Sequence, residues 1–189
     1  MQCLQLPTPQ LVLVYVQRFD TDQAVVEMAL AKLFGTFPNN TSADEVLLKV
    51  VALNSLYATN IYATWKVADN IFRLDIDRKL EQHSLELVNE IAPVTIKGKT
   101  RRNYSFASKY CAWHSPETYP IYDSYVDGLL WAYQKKHRFS NFNRYDLWNS
   151  YPQYVKAVRD FQERFGLQQF TLKQVDNFLW LYGKECAAQ

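Results

Sequence analysis

The chain has 189 residues, 48% hydrophobic and 15% aromatic, enough apolar surface to bury a full core, which excludes a disordered chain. A formal net charge of +2 excludes a polycation, so any contact with nucleic acid has to rest on a local basic patch. Cys3, Cys111 and Cys186 are odd in number and far apart, which points away from a disulfide framework and a zinc or iron–sulfur centre and toward reduced intracellular thiols.

Near the start, the apolar run LVLVYV follows no basic segment and is too short for a signal sequence or a membrane span, so a cytoplasmic protein with no membrane contact is expected. Only five glycines occur, and apolar residues recur at helical spacing from end to end, so the expected fold is all-α. A first helix after Pro9 carries Leu11, Val14, Tyr15 and Phe19; a second starts near Asp20 or Thr21, carries Val25, Val26, Met28, Ala29 and Leu33, and stops at GTFPNN. Thr41 and Asp44 form a T-x-x-D cap before VLLKVVALNSLY, whose almost continuous apolar character predicts a helix buried on most sides.

A bend at residues 58–60 leads to IYATWKVADNIFRL and then to RKLEQHSLELVNEIA, where Leu80, Leu85, Val88 and Ile91 share a face up to Pro93. Beyond it come ASKYCAWH, SYVDGLLWAYQKKHR, the aromatic connector FSNFNRYDLWNSYP, and the helices QYVKAVRDFQERFG and TLKQVDNFLWLYGKEC. Gly166 suits a helix C-terminus and Thr171 an N-cap, while Phe178, Leu179 and Tyr182 form a core stripe. No repeat or linker interrupts the pattern. One helical domain is expected over residues 1–189, with the alternative of a central lobe at about 41–138 and a second lobe from 1–40 and 139–189.

His83, His114 and His137 are too scattered for a metal site, and no Gly-rich phosphate loop or nucleophile elbow occurs. No metal or cofactor is expected. The clearest charge feature is IKGKTRR, with Lys97, Lys99, Arg101 and Arg102, in a stretch from Ile91 to Pro116 that lacks any Asp or Glu. Its plain reading is a solvated basic loop.

In ASKYCAWH, a helix starting at Ala107 places Lys109 in the first turn, where the positive end of the helix dipole disfavours a cation. Fourteen positions on, Asp123 follows Y-P-I-Y and is placed to cap the helix SYVDGLLW, accepting backbone N–H bonds. A carboxylate held this way suits stabilisation of a developing cation.

Ser105, Ala107 and Lys109 in S-x-A-x-K, followed by P-I-Y-D-S-Y-V at residues 120–126, resemble the helix–hairpin–helix DNA glycosylase signature, in which a G-x-G-x-K hairpin precedes a P-V-D-x-H-V segment. The resemblance implies that Lys109 is the Schiff-base lysine of glycosylase/lyase members of the 8-oxoguanine type, and Asp123 the catalytic aspartate. VVALNSLYATNIYATWKVADNIF is similar to the family's buried helix, turn and next helix, and implies that Asn54 fills the DNA stack after base flipping. The two stretches and their interval cover about a third of the chain. Ser105 and Ala107 replace the hairpin glycines, and Tyr125 stands where histidine is common. Phosphate contact then falls to Lys97, Lys99, Arg101 and Arg102 beside Ser105.

By this resemblance Phe106, Trp113, His114, Tyr119 and Tyr122 wall a pocket for the flipped base, and Lys109 attacks the sugar C1′ as the base departs. The expected partner is damaged duplex DNA, bound by a monomer. Two rival readings keep the helices without the chemistry: a nucleic-acid-binding module in which Lys109 only contacts phosphate, and a helical protein that binds another protein.

Overall fold

The structure, a computed structural model, describes residues 4–188. It is mostly helical and divides into two compact units: Val25–Tyr119 forms one, and the chain up to Ala24 together with the chain from Pro120 onward forms the other. The division differs from the expected lobes at both ends. Residues 25–40 join the central unit because Phe34 packs its ring on Tyr110 and His114, and residues 120–138 leave it because their helix packs on the last helix of the chain.

The central unit runs α2 (Ala24–Thr36), α3 (Ala43–Leu56), α4 (Thr64–Arg73), α5 (Asp77–Glu81), α6 (Leu87–Ile91), β1 (Pro93–Ile96), β2 (Lys99–Arg102) and α7 (Tyr104–His114). α3 packs on α4 and α7, and α6 on α7. Val46, Val50 and Leu53 of α3, Val67 and Ile71 of α4, and Phe106 and Tyr110 of α7 are among its buried side chains. Each set recurs at three- or four-residue steps, the spacing that puts one helix face inward.

Several expectations on these elements change. α2 buries Leu30 and Phe34, whereas Val25 and Met28 are 81% and 71% exposed; apolar residues occur on both faces of that helix, so pattern alone could not choose the inner one. Ser42, not Thr41, stands at the N-cap of α3, and its side chain makes no cap bond to the backbone, its hydroxyl donating to the Asp44 carboxylate instead. Its outer face leaves Leu48 and Val51 about half exposed. RKLEQHSLELVNEIA is two short helices, because His83 adopts a left-handed φ of 54° between them.

An antiparallel hairpin of two four-residue strands interrupts the helices. Lys97 and Gly98, with φ of 49° and 76°, make the two-residue connection that matches strand twist. Pro93 pairs with Arg102 and Ile96 with Lys99, and the Thr95 and Thr100 hydroxyls are 2.8 Å apart across the pair. Only Val94 is buried, at the side that meets α4 and α6. With a single buried residue in four, strand alternation is invisible in the sequence.

The other unit holds α1 (Pro9–Asp22), α8 (Ser124–His137), α9 (Asp146–Asn149), α10 (Tyr151–Arg164) and α11 (Leu172–Ala188). α11 packs on α1, α8 and α10, burying Phe178, Leu179 and Tyr182 as the stripe predicts. Thr8 caps α1, which buries Val12, Val16 and Phe19 and leaves Val14 half exposed. Thr171 and Gln174 exchange bonds in a capping box at α11, and Gly166 follows α10 with φ 66°, as the sequence suggests. Cys111 is free and buried. Cys186, by contrast, is disulfide-bonded, against the expectation of reduced thiols, and Cys3 lies outside the described residues. The N-terminal segment meets α11, Gln5 N donating to Tyr182 OH at 2.9 Å. Among the described residues no helix is long and apolar enough to cross a membrane.

Candidate nucleic-acid interface

The hairpin places its cations outward. Lys97, Lys99 and Arg101 are exposed, while Arg102 is partly buried, donating to Asn89 Oδ1 at 3.1 Å and lying 4.0 Å from the Tyr104 ring centre. The four sequence candidates therefore divide into three that face solvent and one that ties the hairpin to α6 and α7. Asn103 N donates to Ala92 O at 2.7 Å, closing the hairpin base where the chain enters α7.

α7 starts at Tyr104, three residues before the expected Ala107, with Asn103 at its N-cap. Lys109 consequently lies in the second turn, outside the reach of the first-turn dipole effect. What surrounds it is burial. The side chain belongs to a residue only 4% exposed; its Nζ donates to Ser105 Oγ at 2.6 Å, one turn back, and sits 5.6 Å from the Tyr57 ring centre. Tyr57 is fixed in turn, since Trp113 Nε1 donates to its hydroxyl at 3.2 Å and that hydroxyl donates to Glu27 at 3.4 Å. Ser105, proposed on sequence grounds as a phosphate contact, is here a neighbour of the lysine.

α3 carries a second buried amine that sequence reading passed over. Lys49 of α3 is 0% exposed, and its Nζ donates to Phe37 O, Asn39 O and Asn40 Oδ1 at 3.1, 2.8 and 2.7 Å. Asn40 is the hub of the cluster. Its Oδ1 also accepts from Tyr110 OH at 2.5 Å, and its backbone N and Nδ2 donate to the two Asp77 oxygens at 2.8 and 2.6 Å. Because Oδ1 is taken by two donors, Nδ2 is the atom facing His114 Nε2 at 3.3 Å, so that ring nitrogen accepts and the imidazole is neutral. Burial, reinforced by the Lys49 charge, pushes the His114 pKa down to about 4, with Asp77 opposing. Burial likewise pushes Lys49 down to about 8, against the pull of Asp77 and Glu45. A lysine inside the apolar run VLLKVVAL is the signal that marks it, since a helix buried on that face must find such an ammonium a set of acceptors.

The remaining ring candidates are distributed by packing. Phe106 and Tyr119 are 2% and 0% exposed, sealed in the core of the central unit, with Tyr119 OH donating to Ser84 O at 3.1 Å; neither offers a solvent-facing wall. Trp113 and His114 are partly exposed and pack beside Phe34. Tyr122 is buried in the other unit, against Tyr154 and Trp148. These rings are apolar and helically spaced, so the sequence could not separate pocket from core. Asn54 is occupied locally: Oδ1 accepts from Ile61 N and Thr59 Oγ1, both at 2.8 Å, and Nδ2 donates to Ile61 O at 3.0 Å. The amide thereby holds the loop containing Ala58 and Asn60, both at positive φ, and entering a base stack would require those bonds to break.

Asp123 belongs to the other unit and caps α8 as expected, accepting from Tyr125 N at 3.0 Å. The segment leading to it is held by three side chains. Tyr151 OH donates to Pro120 O at 2.7 Å, Tyr154 OH to Ile121 O at 2.6 Å, and Ile121 N to Asp176 Oδ2 at 2.9 Å. Gly183 of α11 permits close approach to α8, since a Cβ there would lie 2.8 Å from Tyr125 O. One turn beyond the cap, Asp127 is 6% exposed and pairs with Arg144 Nη1 at 2.5 Å; burial raises its pKa while Arg144 opposes the rise. Among the described residues no group of three or more His, Cys, Asp or Glu is placed to hold a metal ion.

The hairpin, α7 and Lys109 all fall within residues 11–118, which match the family described as HI_0787_N, an N-terminal domain. Asp123 lies beyond that match. The chain is 43% identical over 148 residues to an uncharacterized protein of Haemophilus influenzae, an alignment covering 78% of this chain and 70% of the relative. No solved structure matches the chain. The match to more than half of the sequence, together with that relative, places the chain in the HI_0787 N-terminal domain family.

Proposed function

We propose that the chain is a nucleic-acid-binding protein of the glycosylase/lyase type, acting on damaged duplex DNA through the Lys109 amine. The observation that carries this reading is the basic hairpin entering directly into the helix that buries Lys109 between Ser105 and Tyr57. Exposed Lys97, Lys99 and Arg101 neutralise phosphates on either side of a nucleotide, without reading sequence. Lys109 Nζ attacks C1′ while the glycosidic bond breaks and the base leaves with its electron pair; loss of the amine proton and ring opening give an imine, from which elimination cleaves the strand. Binding and chemistry are then separate properties of the chain.

Borohydride reduction in the presence of duplex DNA containing 8-oxoguanine or an abasic site tests the chemistry. The expected result is a covalent protein–DNA adduct, absent in Lys109→Met, a variant that keeps the buried volume. An adduct that persists in Lys109→Met removes the role assigned to this lysine. A second reading is favoured by the closeness of the Lys109 cage, which holds the amine 2.6 Å from Ser105 at 4% exposure: a binding module without catalysis. It predicts no adduct but a salt-sensitive gel shift, with the slope of log affinity against log salt reduced by about 1 for each hairpin cation removed.

A further inference from the structure

α4 carries two exposed rings beside a rank of cations. Trp65 and Phe72 are 51% and 39% exposed. They are seven residues apart, so they stand on one face about 10 Å from each other. Lys66 and Arg73 are both exposed, have the same spacing, and form the adjoining rank. Asn70 stands on the same side as that rank and donates through Nδ2 to Ile91 O at 3.2 Å, just before the hairpin. The cation rank therefore borders the hairpin, to which α4 packs through β1, and the rings lie on its far side. Tyr62, 91% exposed, precedes the helix.

The geometry points to a single-stranded nucleic-acid platform on this surface: Lys66, Arg73, Lys97, Lys99 and Arg101 take the phosphates, and Trp65 and Phe72 take the faces of unpaired bases. Charge complementarity selects this occupant. Asp69 is the acidic residue of the exposed α4 face, and it is bridged to Arg73 at 2.9 Å; beyond that pair stand exposed Lys66 and the exposed cations of the hairpin. A duplex hides its base faces, so rings outside the stack are of use only against a strand that is open or unwound. The inference rests on the nucleic-acid reading above and narrows it: the hairpin cations hold phosphate on any strand, while the α4 rings add affinity only where bases are unpaired.

The test compares oligo(dT) with a blunt duplex of equal length, in wild type, in Trp65→Ala/Phe72→Ala and in Lys97→Glu/Arg101→Glu, with thermal unfolding confirming that these surface variants remain folded. Wild type is expected to bind oligo(dT) more tightly than duplex. The ring variant should lose about tenfold or more on oligo(dT) and little on duplex, and the hairpin variant should weaken on both. Equal affinity of the ring variant and wild type for oligo(dT) overturns the platform while leaving the nucleic-acid reading intact, and points to a protein partner for the rings. Failure of wild type to bind either probe at low salt overturns both.

Discussion

Lys49 shows how a charge survives inside a small unit. Its ammonium is surrounded by two main-chain carbonyls and the Asn40 amide oxygen, with the Phe34 and Tyr110 ring centres 5.6 and 5.8 Å away. Desolvation of an ammonium costs several kcal/mol unless all its hydrogens are satisfied, and here three acceptors meet three N–H groups. The acceptors depend on the lysine as much as it depends on them, because Phe37 O and Asn39 O would otherwise face a buried space without donors. Lys49→Met is therefore expected to lower unfolding free energy by about 2–4 kcal/mol, measured by chemical denaturation. Unchanged or increased stability would show that the ammonium is a net burden at this site.

At the scale of elements, close helix approach decides where Asp123 is held. α8 and α11 pack with Gly183 facing the Tyr125 carbonyl, one residue past the start of α8. Gly183→Ala gains about 1 kcal/mol of helix propensity but inserts a methyl group 2.8 Å from a backbone oxygen, so the helices must separate. A net loss of about 1–2 kcal/mol is expected, with the α8 N-terminus displaced; measurement of unfolding free energy checks it, and a stability gain would show that the helices part without cost. The hairpin is an element of a different kind. Its two four-residue strands bury only Val94, too little to stabilise a hairpin in isolation. Contacts of β1 with α4 and α6 and the Asn103–Ala92 bond hold it. The exposed cations are thus presented on a support that belongs to the helices.

For the molecule as a whole, the buried bases set the response to pH. The folded His114 pKa of about 4 lies below its ordinary 6.5, so between those values the unfolded chain binds a proton that the folded one refuses. Stability from this group is complete above pH 6.5 and is lost as pH falls toward 4, by about 2 kcal/mol after discounting partial exposure. Lys49, at about 8 against 10.5, acts in the same sense at higher pH: stability rises between pH 8 and 10.5. His114→Phe keeps the ring packing on Phe34 and Tyr110 and is expected to flatten the acid limb of a thermal-midpoint profile between pH 6.5 and 4. A profile parallel to wild type would assign that limb to other groups. The two compact units each carry part of the sequence motif: Lys109 sits in the central one with the basic hairpin, and Asp123 in the one built from both ends of the chain.

Sequence alone determined the helical class, most helix stops, the Asp123 cap, the Thr171 cap and the C-terminal core stripe, because these depend on residues within a turn or two of one another. The run without acidic residues also located the hairpin cations, though not their strands. Tertiary structure decided which face of α2 is buried, where the chain divides, and which rings are core, because each of these is settled by neighbours distant in sequence. It alone revealed Lys49, Asn40, Asp77 and His114 as one cluster. Lys49 and Asp77 are 28 residues apart along the chain, and no local pattern states that burial will force an ammonium and a carboxylate to share the same amide.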